Sequence, residues 1–282
     1  MRPKKSTLKS VSTLLKTAIK IVGPKRSVMM AAHLAEDMAP VVSQQTRFGV
    51  IRFLCLGKIP VYRARTLHTK EPETLQWIET FRDGETFWDI GANVGLYSLY
   101  AAFKGHAVLA FEPSPTNYHL LCRNIEINQK SQSLSAYCIA FSDHTRLGSL
   151  HMTSRQIGAA LHSFGEVDGL QHGSSSTLWS QATLGFCIDD FIELFDPPFP
   201  SHIKIDVDGI EGKIVSGARK TINDRRLRSV LVELDRKEKT HFNAILDVFK
   251  RSSFEWVNEA GFHRPNNRRG FDIYNGIFVR ST

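Results

Sequence analysis

Phe87-Trp88-Asp89-Ile90-Gly91-Ala92-Asn93-Val94-Gly95 is the stretch on which the fold turns. Residues 86–90 form a short apolar strand that ends in glycine. Residues 96–104 repeat apolar side chains at helical spacing and stop at Gly105. Strand, acid, glycine-rich turn and helix thus follow one another. Reading outward, 107–111 is a second strand that closes on Glu112-Pro113, 116–128 a helix, and 134–141 a third strand. This β-α-β-α-β order predicts a parallel sheet covered by helices.

The pattern continues in both directions. Upstream, Pro72 starts a helix over 72–81 with Leu75 and Ile78 inward. Residues 47–55 and 59–65 read as strand-like, and the domain boundary is placed near Thr69. The chain then divides into an extension over 1–69 and a main domain over 70–282. Downstream, 148–152 and 184–187 read as strands flanking a loop over 156–177. A helix over 188–195 follows. Next come a strand over 202–207, a helix over 211–223, a strand over 229–234 and a helix over 240–251. Residues 254–258 and 276–280 read as closing strands.

The first turn has the spacing D-x-G-x-N-x-G. A pyrophosphate site needs G-x-G-x-x-G, and Asp89 would repel the phosphates. Gly91 lets a ligand approach the backbone, and helix N–H groups face that ligand. A carboxylate there suits a cationic ligand such as S-adenosylmethionine. Glu112, at the end of the next strand, is placed to accept the ribose hydroxyls of a nucleoside. Ser142-Asp143 follows the third strand, which puts the pair beside an adenine ring; the alternative is a capping aspartate in a turn.

Strand alternation puts Lys204 and Asp206 on one side of 202–207 and Val207 on the other. Asp206, Asp208 and Glu211 therefore converge at a strand end, where open α/β sheets hold their ligands. Clustered carboxylates raise one another's pKa, which suits a general base. They also offer oxygen ligands to a divalent cation together with Glu233 or Asp235, although no resident metal is predicted. His162 stands in a segment placed to cover this site and is a further candidate base.

The chain of 282 residues has 36 Lys and Arg against 28 Asp and Glu. Residues 1–26 hold eight of the basic residues and no acid, so the remainder is balanced at 28 against 28. A balanced body argues against nucleic acid as a partner. Cys55, Cys122, Cys138 and Cys187 form no C-x-x-C pair and read as free thiols, which fits a cytoplasmic protein. Residues 6–22 form a basic amphipathic helix stopped by Gly23-Pro24. It lies on a membrane surface, or packs on the body or on a second subunit. Lys16 and Lys20 break its apolar run, so neither a signal peptide nor a spanning helix is predicted. Arg264, Arg268 and Arg269 lie in a polar loop near the end.

The ordered set Lys70-Glu71-Pro72-Glu73-Thr74, Asp89 to Gly95, Ala110-Phe111-Glu112-Pro113, Lys204-Ile205-Asp206-Val207-Asp208-Gly209 and Glu233 resembles the FkbM family of S-adenosylmethionine-dependent methyltransferases. The resemblance implies an α/β, Rossmann-like, seven-stranded class I methyltransferase sheet with its last strand antiparallel, carrying an N-terminal helical and β extension. It implies S-adenosyl-L-methionine as cofactor, held by Asp89, Gly91, Asn93, Gly95 and Glu112, with Asp206 beside the methyl group. The family has Glu at the position of Asp208. Its substrates are mostly oxygen nucleophiles on sugars, lipids or polyketides.

The expectation is therefore O-methylation of a hydroxyl on a sugar, glycolipid or other small metabolite. The proton goes to Asp206 or Asp208, or else to His162. The rivals are a non-catalytic cofactor-binding subunit and a nucleic-acid or protein methyltransferase.

Overall fold

The computed structural model describes residues 5–21, 23–165, 177–257 and 273–281. The chain forms two compact units, Met1–Val41 and Val42–Thr282. The first holds α1 (Lys5–Ile21) and α2 (Pro24–Asp37). Gly23 between them sits at φ +87°, a left-handed conformation that glycine adopts without steric cost. No residue of α2 is buried.

The division falls at Val41/Val42 rather than near Thr69, for a physical reason. β1 (Val41–Thr46) and β2 (Gly49–Leu54) pair as a two-stranded sheet. The N–H groups of Arg52 and Leu54 donate to Asn128 Oδ1 (2.9 Å) and Asn124 Oδ1 (2.7 Å). Ile51 and Phe53 enter the same core as Trp77 and Leu99. The segment after Gly57 is a helix, α3 (Lys58–Arg65), and not the expected strand. Pro60, Ala64 and Leu67 are its buried residues and neighbours. Their spacing of four and three follows a helix, and Pro60 stands in the first turn, where no N–H is needed.

The remainder runs α4 (Pro72–Glu79), β3 (Thr86–Ile90), α5 (Leu96–Lys104), β4 (Ala107–Phe111), α6 (Pro115–Ile127) and β5 (Leu134–Tyr137). Then come β6 (Ala140–Phe141), β7 (Arg146–Met152), β8 (Ser163–Phe164), β9 (Trp179–Phe186), α7 (Ile188–Phe195) and β10 (His202–Ile205). The chain closes with α8 (Glu211–Ser216), α9 (Arg219–Asn223), β11 (Ser229–Asp235), α10 (Lys239–Arg251), β12 (Phe254–Trp256) and β13 (Ile273–Arg280).

Seven strands form the main sheet in the order β12-β13-β11-β10-β3-β4-β5. β5, β4, β3, β10 and β11 are parallel, and β13 is antiparallel to both of its neighbours. This is the expected class I methyltransferase sheet with its last strand reversed. Side chains alternate across it. Phe87 of β3 meets Trp77 and Phe81 on one face, while Trp88 meets Phe111 and Phe191 on the other.

Two expected elements are interrupted. The third strand splits after Tyr137, because β6 leaves the main sheet and pairs with β9. A second sheet, β6-β9-β7-β8, results. The helix expected over 211–223 breaks at Gly217. A β-carbon there would stand 2.4 Å from the carbonyl oxygen of Ser142, and the Gly217 carbonyl accepts from Asp189 N rather than from its own helix.

Candidate active site

Register builds the site. Ile90 of β3 pairs with Phe111 of β4 and with Ile205 of β10. The next residue of each strand, Gly91, Glu112 and Asp206, therefore emerges at one level. Val232 of β11 pairs with Ile205, which brings Glu233 to the same edge. Motifs more than a hundred residues apart in sequence thus surround one cleft of about 190 Å³.

The turn after β3 is fixed by its backbone. Gly91 N and Ala92 N both donate to Phe111 O, at 2.9 and 3.0 Å. Gly91 has φ +83°, and a β-carbon on it would lie 1.9 Å from the carbonyl oxygen of Asp206. The close approach that demands glycine is thus made by β10's own end. A β-carbon on Gly95 would lie 2.5 Å from Leu121 Cδ1 of α6. Asn93 holds φ +52°, which asparagine tolerates better than most residues. Its N–H donates to Glu112 Oε2 at 2.8 Å.

Glu112 also accepts from Ser114 N (3.0 Å) and Asn117 Nδ2 (3.4 Å). Burial pushes its pKa up to about 7, against the pull of these bonds. A carboxylate oxygen has acceptor capacity beyond one bond, so this anchored group still presents acceptors to the cleft it lines.

Asp89 is placed differently from the expectation. It does not line the cleft. It is 1% exposed and faces inward, because it shares a strand face with Phe87. Ser98 Oγ donates to its Oδ2 at 2.5 Å. Lys204, its register partner on β10, lies alongside, and Lys204 Nζ donates to Asp206 Oδ2 at 2.7 Å. Burial works against the Lys204 ammonium, but Asp206 and Asp89 outweigh it and hold its pKa above the usual value. Asp89 lies buried beneath the turn, and Lys204 is the link from it to Asp206.

Asp206 lines the cleft. Asp208 takes φ +64°, and its Oδ2 accepts from Leu161 N at 2.7 Å. Burial, then the neighbouring Asp206, raises the Asp208 pKa. Glu211 does not join them. It accepts from Val207 N and Gly209 N at 3.1 Å, tying the turn at the head of α8, and burial lifts its pKa to about 7. Among the described residues no group of three or more His, Cys, Asp or Glu is arranged to hold a metal ion.

The segment Gly158–Leu161 closes over this edge. Arg63 Nε donates to Gly158 O (2.8 Å), and Gly158 N donates to Asn117 Oδ1 (2.7 Å). Asn93 Nδ2 and Asn117 Nδ2 both donate to Ala159 O, at 3.0 and 3.2 Å. Four cleft side chains, counting Asp208, thus hold one strap. His162 follows it and lines the cleft; burial drops its pKa to about 4, so the ring is neutral.

Ser142 and Asp143 do not reach the cleft. Ser142 Oγ donates to Asp143 Oδ1 at 3.0 Å, and Asp143 pairs with His144 at 3.1 Å. Because β6 has joined the second sheet, the pair lies beside Gly217. The residues just before them, Ile139 and Phe141, instead line a small apolar pocket with Phe111 and Phe164. That pocket shares Gly91, Pro113, His162 and Val207 with the main cleft.

Sequence reasoning missed Arg63, Asn117 and Lys204 as site residues. Asn117 carried a signal: a polar residue, buried at 1% exposure, inside a helix. Residues 166–176 of the expected loop, Asn258, and Arg264, Arg268 and Arg269 lie outside the described residues.

Residues 89–263 match the family described as the methyltransferase FkbM domain. Over 196 residues the chain is 21% identical to the hexuronic acid methyltransferase AglP of Haloferax volcanii, covering 70% of this chain and 74% of that one. Over 50 residues it is 44% identical to the methyltransferase sdnD of Sordaria araneosa, which is 17% of this chain and 19% of that protein. Among solved structures, an FkbM methyltransferase from Methylobacillus flagellatus KT superimposes with a TM-score of 0.47 at 17% identity. The match covers 71% of this chain and 45% of that one.

Proposed function

We infer, for a chain that belongs to the FkbM methyltransferase family and is a methyltransferase, that its donor is S-adenosylmethionine and its acceptor a hydroxyl oxygen on a sugar or a similarly small polyol. The observation that carries the reading is the level emergence of Gly91, Glu112 and Asp206 around one cleft.

The residues present fit the donor. Glu112 offers a carboxylate, anchored by two backbone N–H groups, to a ribose diol. The apolar pocket between Ile139, Phe141 and Phe111 offers apolar walls to a purine, which moves the adenine position to the residues just before Ser142-Asp143. Asn93 Oδ1 is buried without a hydrogen-bond partner among the described residues, an acceptor awaiting a donor group at the cleft.

The donor, when bound, supplies a methyl group already activated by a sulfonium. The protein's part is alignment, exclusion of water and proton transfer. Asp206, held at the sheet edge by Lys204, receives the acceptor's O–H proton. Asp208 positions the strap through Leu161. His162, neutral because it is buried, walls the cleft without adding positive charge beside a cationic donor. The name of the archaeal relative supports a sugar as acceptor.

Calorimetric titration with S-adenosylhomocysteine, with Glu112→Ala as control, tests the donor site. Incubation with labelled donor and a panel of sugars, uronates and glycolipids tests the acceptor. The expected result is binding lost in Glu112→Ala and label in an O-methyl group. Label confined to nitrogen, or binding untouched by the substitution, overturns the reading.

A further inference from the structure

From Ser10 to Met38 no described residue is buried. Val11, Leu14, Leu15 and Ile21 of α1 are 49% to 79% exposed, and Val28 and Met29 of α2 are 68% and 60% exposed. Helices of 17 and 14 residues depend on packing an apolar face for most of their stability. Val11, Leu14 and Leu15 are neighbours on one side of α1 at helical spacing, and an exposed apolar stripe of this kind marks a contact with something else.

The charge says what that contact is. Residues 1–26 carry all eight of the chain's excess positive charges and no acid. In α1 the exposed Lys16 and Lys20 lie one turn apart, on the side of the helix opposite Leu14 and Val11 at 3.6 residues per turn. A second copy of the chain packed on the apolar side would leave the lysines pointing away from the interface. A neutral protein surface would leave the lysines without a role. An anionic bilayer satisfies both features: its acyl boundary takes the apolar side, and its headgroups attract the lysines. No helix among the described residues is long and apolar enough to cross a membrane, so the geometry is that of a helix lying in the interface.

We propose that the α1–α2 unit docks the protein on an anionic lipid surface, with Val11, Leu14 and Leu15 inserted and Lys16 and Lys20 at headgroup level. Binding depends on salt, because charge screening shortens from about 10 Å to about 3 Å between 0.1 and 1 M.

The test uses the full chain and vesicles of phosphatidylcholine alone or with phosphatidylserine, read by co-sedimentation. Light scattering and a thermal melt serve as controls. The expected result is at least about tenfold tighter binding to the anionic vesicles, released by salt. Lys16→Ala/Lys20→Ala should weaken it by about 10- to 30-fold, since each basic residue near an anionic surface contributes roughly a factor of five. Leu14→Gln/Leu15→Gln should abolish it while the melt of the body stays unchanged. Equal binding to both vesicle types, or binding to neither, overturns the proposal. So does a dimer in light scattering that the Leu14→Gln/Leu15→Gln variant separates, because the covered face would then be a second copy's.

Discussion

The carbonyl oxygen of Asp206 occupies the space that a β-carbon on Gly91 would need, at 1.9 Å. Two strand ends are therefore locked together backbone to backbone, without help from a side chain. Gly91→Ala must displace β10's end and also place a side chain at φ +83°. The expected cost is at least about 3 kcal/mol, combining overpacking with left-handed strain. Gly84→Ala, at φ +80° with open space around it, should cost only the strain, about 1 kcal/mol. Urea melts of both variants check this; equal costs would refute the steric account.

Asp206 and Asp208 can be told apart by their amides. Asp208→Asn keeps an oxygen able to accept from Leu161 N, so activity should stay within about threefold of wild type. Asp208→Ala should release the strap, lower kcat/KM by about tenfold or more and expose 158–161 to limited proteolysis. Asp206→Asn should abolish turnover while binding of S-adenosylhomocysteine persists. If Asp208→Asn were as inactive as Asp206→Asn, the base would be Asp208.

The raised carboxylates make a pH prediction. Glu112 and Glu211 sit at about 7 in the fold, against an ordinary value near 4.5. Between those values the folded state holds more protons than the unfolded state. Stability should therefore fall as pH rises through that window, by up to about 3 kcal/mol per group. Glu112→Gln should flatten part of the slope in melts taken between about pH 5 and 8. A ligand that hydrogen-bonds to the ionised carboxylate should in turn bind more tightly above about pH 7, and Glu112→Gln should lose that gain.

Lys204 is flanked by two carboxylates and is 1% exposed. Lys204→Met removes an ammonium that faces both Asp89 and Asp206, leaving buried negative charge behind. A loss of about 3 to 5 kcal/mol is expected. The second substitution Asp89→Asn should recover part of it. No recovery in the double variant would mean that Asp89 and Lys204 are not coupled.

What the chain disclosed before folding was local. β3, the Gly91–Gly95 turn and α5 are dictated by neighbouring residues, and the strand over 107–111 is where its apolar run put it. The hidden parts depend on partners far away in sequence. Residues 59–65 carry β-branched residues suited to a strand, yet Pro60, Ala64 and Leu67 find a core only as a helix. Asp89 reads as a ligand group until register sets it against Lys204. Ser142-Asp143 reads as part of the cleft until β6 crosses to β9. Arg63 escaped notice because its segment was assigned to a separate extension, whereas its guanidinium reaches Gly158, 95 residues away.

The flush strand ends also constrain how such a site can change. Strands can slip past one another only in whole residues, and a slip that preserves which face is inward takes two. For β10 that is a shift of roughly 6.6 Å, which would carry Asp206 out of reach of the cleft. The separation between Asp206 and the Gly91 turn is thus quantised by the sheet and has no small adjustment. A change in what the cleft admits is left to parts that vary continuously, such as the Gly158–Leu161 strap and the side chains that hold it.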